Sequence, residues 1–139
     1  RVDLIGRKVS RATGWLNDAE QLIGSDENRF TREIKDRDLS TFYLFLAIQE
    51  CIDLAAHWVS DAGWTSSDDA AGSFEELSRR GVIDQDLSDG MILAVGLRNR
   101  IAHGYASVDH QRLFHDSLSG LPLLRRFLAA IATRAGVGI

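Results

Sequence analysis

One proline in 139 residues, with apolar side chains recurring every three or four positions along most of the chain, restricts the fold to helices. A helix interior rejects proline because the ring removes a hydrogen-bond donor and collides with the preceding turn. Nearly the whole chain is free of that obstacle. The expected fold is all-α, an up-and-down bundle of four to five helices. At this length a single domain over residues 1–139 is expected, and 45% hydrophobic against 26% charged residues suits a packed core.

The first helix is expected from Val2, with Ile5, Val9, Ala12, Leu16 and Ile23 on one face, and it stops at Gly24-Ser25-Asp26. A second, from about Leu39 to Asp61, carries one stripe through Phe42, Phe45, Ile52 and Val59 and another through Leu44, Ile48, Cys51 and Ala55. Apolar on two sides, it is expected at the centre. After a Gly/Ser/Asp-rich loop, Ser73-Phe74-Glu75-Glu76 reads as a capping box opening a short helix that ends at Gly81. Asp84 or Asp86 then caps a fourth helix through Leu87, Met91, Ala94 and Ile101, and Asp109 opens the last one. Pro122 is expected to kink or divide that last helix.

Sixteen Lys and Arg against twenty Asp and Glu give a net charge of −4, which disfavours non-specific wrapping of duplex DNA. Any nucleic acid must meet a local basic site. The lone Cys51 can form no intramolecular disulfide and is expected as a small core side chain. No uninterrupted run of 18 apolar residues occurs, and Arg1-Val2-Asp3-Leu4 does not open a signal peptide, so no membrane role and a cytoplasmic location are expected. The four histidines contain no i, i+4 pair, no Gly-rich phosphate loop or Gly-x-Ser-x-Gly elbow occurs, and neither a metal nor any other cofactor is indicated.

Chemistry concentrates in Gly96-Leu97-Arg98-Asn99-Arg100-Ile101-Ala102-His103-Gly104-Tyr105. On a helical wheel Arg98 falls at the centre of the apolar face, where a guanidinium is costly to desolvate without a partner. Arg100, about 200° away, reads as a solubilising surface charge. His103 would lie about 140° from Arg98, so the two can share a pocket only through a turn or a second chain. Gly104 is expected to supply the turn as a left-handed cap. The set then suits metal-free cleavage of RNA, with His103 moving protons, Arg98 holding the scissile phosphate, and Asn99 bonding the phosphate or fixing the imidazole. The other reading of Arg98 and His103 is a helix-end cap with a buried ion pair.

This decapeptide resembles the Arg-polar-x-x-x-His motif of the HEPN superfamily, and with Tyr105 it is similar to the Arg-x-x-x-x-His-x-Tyr form of HepT-like toxins. Ala47-Ile48-Gln49-Glu50-Cys51-Ile52-Asp53-Leu54-Ala55 resembles the family's second helix, and Ser73 to Leu77 with Gly81-Val82-Ile83 its short third element. One departure is the loop Gly63-Trp64-Thr65-Ser66-Ser67-Asp68-Asp69, which lacks a proline ahead of the third helix. The resemblance implies a helical homodimer with metal-independent endoribonuclease activity, and a partner antitoxin of the minimal nucleotidyltransferase type. It further implies that this partner transfers AMP to the Tyr105 hydroxyl and so inactivates the toxin.

Glu50, Asp53 and His57 form a polar stripe on the second helix. Asp53 is a candidate to orient Arg98 or His103, whereas Glu50 and His57 read as solvated. Trp15 and Trp58 fit core or interface positions. The leading reading is a toxin in which two copies of Arg98 and His103 line a cleft across a dimer axis, leaving a 2′,3′-cyclic phosphate. The alternative is a non-catalytic partner module that binds a nucleotide or a nucleotidyltransferase protein.

Overall fold

The apolar stripe that opens the chain becomes α1 (Val2–Ile23), burying Ile5, Val9, Ala12, Leu16, Ala19 and Ile23. It ends where Gly24 takes φ +64°, a left-handed conformation that glycine adopts without penalty. The structure is a computed structural model that describes residues 2–66 and 68–137. Ser67, within the loop that departs from the family pattern, lies outside the described residues. Among these residues there are six helices and no strand, so the all-α expectation holds with one or two helices more than the periodicity indicates.

The added helix is α2 (Glu27–Arg32), capped by the Asp26 side chain, which accepts from the backbone N–H groups of Asn28 and Arg29. Its one large apolar residue, Phe30, is buried against Phe114 with ring centroids 5.3 Å apart. A single apolar side chain in six residues has no period to detect. α3 (Ile34–Asp61) starts five residues earlier than expected, through a charged, largely exposed turn. It is the central helix and touches α1, α2, α4, α5 and α6. By length and composition alone α3 could cross a membrane, which a search for uninterrupted apolar runs passes over; half of its apolar stretch is buried inside the bundle. Cys51 is fully buried there, and burial pushes its thiol well up from the ordinary range.

Glu50 is not solvated. It is buried on the α1 side of α3, accepting a hydrogen bond from Lys8 Nζ at 2.8 Å, with Arg11 Nε at 3.8 Å. α4 (Ala70–Arg79) also departs from expectation: Asp69 caps it by accepting from the Gly72 N–H at 2.8 Å. Ser73 therefore lies inside the helix and is buried. Glu76, rather than closing a capping box, is buried and binds Arg79 and Arg80. Asp84, not Asp86, caps α5 (Gln85–Gly104) through the Leu87 N–H.

Asp109 caps α6 (His110–Ala135) as expected, and Pro122 does not divide it. Pro122 is exposed while its neighbour Leu121 is buried, so the ring stands on the solvent side, where water can serve the carbonyl that lost its donor. α5 and α6 approach closely at Gly90: a Cβ there would lie 2.8 Å from Leu123 Cδ2. Gly90 lies in the second turn of α5, so this close approach lies near the start of the helix whose far end carries Arg98 and His103.

Candidate active site

Arg98 leaves α5 toward α3 and donates from Nη1 to Gln49 Oε1 at 2.8 Å, a contact between residues 49 positions apart. Its Nε is buried with no hydrogen-bond partner. Five basic side chains are half-buried among the described residues: Lys8, Arg37, Arg98, Arg100 and Arg125. Four of them pair with carboxylates, on Glu50, Asp38, Asp116 and Glu20 respectively. Arg98 is the exception, positioned by a neutral amide and with no ion pair among the described residues.

His103, one and a half turns further on, is exposed and opens on a different space. It lines a cleft of about 560 Å³ between the end of α5 and the start of α6, together with Asn99, Arg100, Ser107, Arg112 and Asp116. Arg98 is not among the lining residues. The expected left-handed cap at Gly104 is absent: its φ is −152°, α5 ends there, and a 3-10 turn over Tyr105–Ser107 follows. Nothing in the surrounding backbone demands a left-handed residue there. The imidazole therefore keeps the direction that helical spacing gives it, away from Arg98.

Arg100 is also misread by the helical wheel. It is half-buried in this cleft and donates from Nη2 to Asp116 Oδ2 at 2.8 Å, because α6 covers the side of α5 taken for solvent. Asp53 is half-buried one turn beyond Gln49, and no hydrogen bond or ion pair among the described residues links it to Arg98 or His103. The orienting role falls to Gln49 instead. The signal for it was present: Gln49 sits between Phe45 and Ile52 in the apolar stripe of α3, an amide where an aliphatic residue belongs. His57 is exposed, as expected.

Tyr105 is half-buried and its hydroxyl donates to Asp38 Oδ1 near the start of α3. Burial, and then this bond to a carboxylate, raise the phenol above its ordinary range; the same bond lowers the Asp38 carboxyl. Beside them lies an apolar hollow of about 270 Å³ formed by Thr41, Phe42, Phe45, Ile101 and Ala102. Phe42 and the nearby Leu39 are exposed. No group of three or more His, Cys, Asp or Glu side chains among the described residues could hold a metal ion.

A family model described as Ribonuclease HepT-like matches residues 14–131. The mRNA nuclease HepT of Shewanella oneidensis is 26% identical over 129 residues, covering 93% of this chain and 96% of that protein. A protein of Archaeoglobus fulgidus described as an RNase is 32% identical over 91 residues, 65% of this chain and 68% of the relative. Among solved structures, the tri-AMPylated Shewanella oneidensis HEPN toxin in complex with MNT antitoxin has the same fold. It superposes with a TM-score of 0.85 over 94% of this chain and 98% of the toxin chain, at 24% identity.

Proposed function

The chain belongs to the HepT-like ribonuclease family, and from that membership we propose that it is the endoribonuclease toxin of a toxin–nucleotidyltransferase pair, cutting RNA with Arg98 and His103 and without a metal ion. The observation that carries the site assignment is the condition of Arg98, a guanidinium tethered at one nitrogen by a neutral amide while Nε is unfilled. A cation that is positioned but not neutralised suits the charge that develops on a phosphate during transfer.

In this mechanism His103 takes the proton from a ribose 2′-hydroxyl, and the freed oxygen attacks the adjacent phosphorus. Arg98 steadies the phosphorane, with Asn99 on the same stretch of helix as a further donor. The 5′-oxygen leaves with a proton, and the upstream product ends in a 2′,3′-cyclic phosphate. Arg98 and His103 diverge by about 140° on one helix, so the complete site needs a second copy of the chain. The apolar hollow beside Ile101, with exposed Leu39 and Phe42, is the surface we assign to that homodimer.

The partner antitoxin is a minimal nucleotidyltransferase, and Tyr105 is the residue it modifies. The phenolic oxygen attacks the α-phosphorus of ATP, pyrophosphate leaves and the phenolic proton is lost, which places bulk and negative charge beside the cleft. The same reading keeps the cytoplasmic location expected from the sequence.

The test is cleavage of an RNA oligonucleotide. Arg98→Ala and His103→Ala each abolish it with helix content unchanged by circular dichroism, and the wild type cleaves equally in EDTA. A wild-type rate in either variant, or loss of activity in EDTA, overturns the mechanism. Binding of RNA with no cleavage by any form would make the chain the non-catalytic module instead.

A further inference from the structure

Two arginines from different helices converge on one anionic oxygen at the open side of the His103 cleft. Asp116 Oδ2 lies 2.8 Å from Arg100 Nη2 on α5 and 3.4 Å from Arg112 Nε on α6. All three side chains reach solvent, with 38%, 63% and 36% of the Arg100, Arg112 and Asp116 side chains exposed. The other acid in the cleft, Asp109, is committed to the backbone as the cap of α6. Asp116 alone therefore offsets the two guanidinium groups.

A carboxylate oxygen and a phosphate oxygen present the same acceptor to a guanidinium, and the fork of N–H donors on arginine fits either anion. Asp116 Oδ2 thus marks a point where two arginines already meet an anion in space large enough to admit one. Because the groups are partly hydrated, replacing one anion by the other carries little of the desolvation cost that makes buried pairs hard to break. An acidic chain gains here what its overall charge denies it, a local basic site.

We propose that Arg100 and Arg112 form a subsite for a backbone phosphate of the RNA strand next to the one that is cut, and that Asp116 is the internal anion this phosphate displaces. The inference rests on the reading of the chain as a ribonuclease acting at His103, and it assigns these side chains to binding rather than to chemistry. Asp116 keeps the arginines extended and paired until substrate arrives, and it competes with every weaker anion.

The experiment compares Arg100→Gln, Arg112→Gln and Asp116→Asn in the full chain with an RNA oligonucleotide, over a range of salt concentrations. Each arginine variant raises KM about tenfold, with the loss falling on KM rather than kcat, and lowers the salt dependence of binding by about one counterion per phosphate contact. Asp116→Asn moves KM the other way, down several-fold. The opposite signs are decisive, because a salt bridge that only braces α5 against α6 would make all three variants weaken the protein alike. Unchanged KM in both arginine variants, or a rise in KM for Asp116→Asn, overturns the subsite. Binding of the same oligonucleotide to the three variants in a His103→Ala background separates the two readings. If the chain with His103 intact leaves the oligonucleotide uncut yet the affinities still move in opposite directions, the nuclease reading fails and the phosphate subsite stands. If cleavage requires His103 while affinities do not move, the subsite alone fails.

Discussion

The hydroxyl of Tyr105 donates to the carboxylate of Asp38 across 67 positions of sequence, tying the turn after α5 to the first turns of α3. Arg37, beside Asp38, and His110, at the start of α6, face the same carboxylate. The Asp38 carboxyl is held below its ordinary 3.8, so its contribution to stability is present above that value and is lost as pH falls through the lowered one. The phenol is raised above 10.0, so its contribution is present below that value and is lost as pH rises through the raised one. Tyr105→Phe therefore destabilises by about 1 kcal/mol, reduced by solvent around Asp38. Urea unfolding gives a difference from wild type that is flat between pH 5 and 9, as roughly set by these directions, and that shrinks outside both ends.

The same hydroxyl is the proposed acceptor of AMP. Co-expression with a neighbouring nucleotidyltransferase adds adenylyl mass to the wild type and none to Tyr105→Phe. An unmodified mass with neutralised toxicity would mean that the partner inhibits by binding alone.

Gln49 holds Arg98 without cancelling its charge, and its variants separate those two effects. Gln49→Leu frees the guanidinium and lowers kcat about tenfold, roughly one hydrogen bond's worth of positioning. Gln49→Glu keeps the shape and the bond but sets a carboxylate against Arg98, where it competes with the scissile phosphate. We expect Gln49→Glu to melt no lower than wild type and yet to lose more activity than Gln49→Leu. Equal activity for Glu and Gln at this position would show that the neutrality of the tether is irrelevant.

The Lys8–Glu50 pair, with Glu50 buried and Lys8 half-buried, makes a prediction about stability alone. Glu50→Ala leaves the Lys8 ammonium without its partner at the α1–α3 contact and costs about 3 kcal/mol. The double variant Lys8→Met, Glu50→Leu recovers most of that loss, because an apolar pair carries no desolvation penalty. Denaturant midpoints measured on the single and double variants decide it.

Light scattering at micromolar concentration should give the mass of a dimer, with an interface above about 1,000 Å² in total. Phe42→Asp, at an exposed position beside the Tyr105 hollow, shifts the mass to that of a monomer and abolishes cleavage with it. A wild-type monomer that remained active would remove the need for a second copy.

The bundle was legible in the sequence wherever an apolar stripe was long enough to repeat. α1 begins and ends where its stripe does, and Asp84 and Asp109 cap as their side-chain chemistry suggests. α2 was not legible, since Phe30 is its only buried residue and the rest of its anchoring is its cap and polar contacts such as Arg29–Asp36 and Glu27–His115. At α4 the capping box read at Ser73 was displaced by Asp69, four residues earlier, and Ser73 is buried within the helix, a tertiary outcome that local spacing does not carry. Gly104 ends α5 without the left-handed conformation its residue type favours, and α6 continues undivided through Pro122. For the site, the spacing of Arg98, His103 and Tyr105 was plain. The partners of Arg98, Tyr105 and the neighbouring Arg100 were not, because Gln49, Asp38 and Asp116 lie 16 to 67 positions away in sequence.

If RNA binds at Arg98 as proposed, the unpaired charge there couples folding to occupancy. A protein that binds an anion only when folded is stabilised in proportion to the logarithm of that anion's concentration over its dissociation constant. Under this linkage the nucleic acid of the cell acts on the folding equilibrium as well as at the site: each bound strand withdraws molecules from the unfolded pool. A ribonuclease built this way lasts longest where its target is most abundant, and it becomes easier to unfold and degrade as that target is consumed.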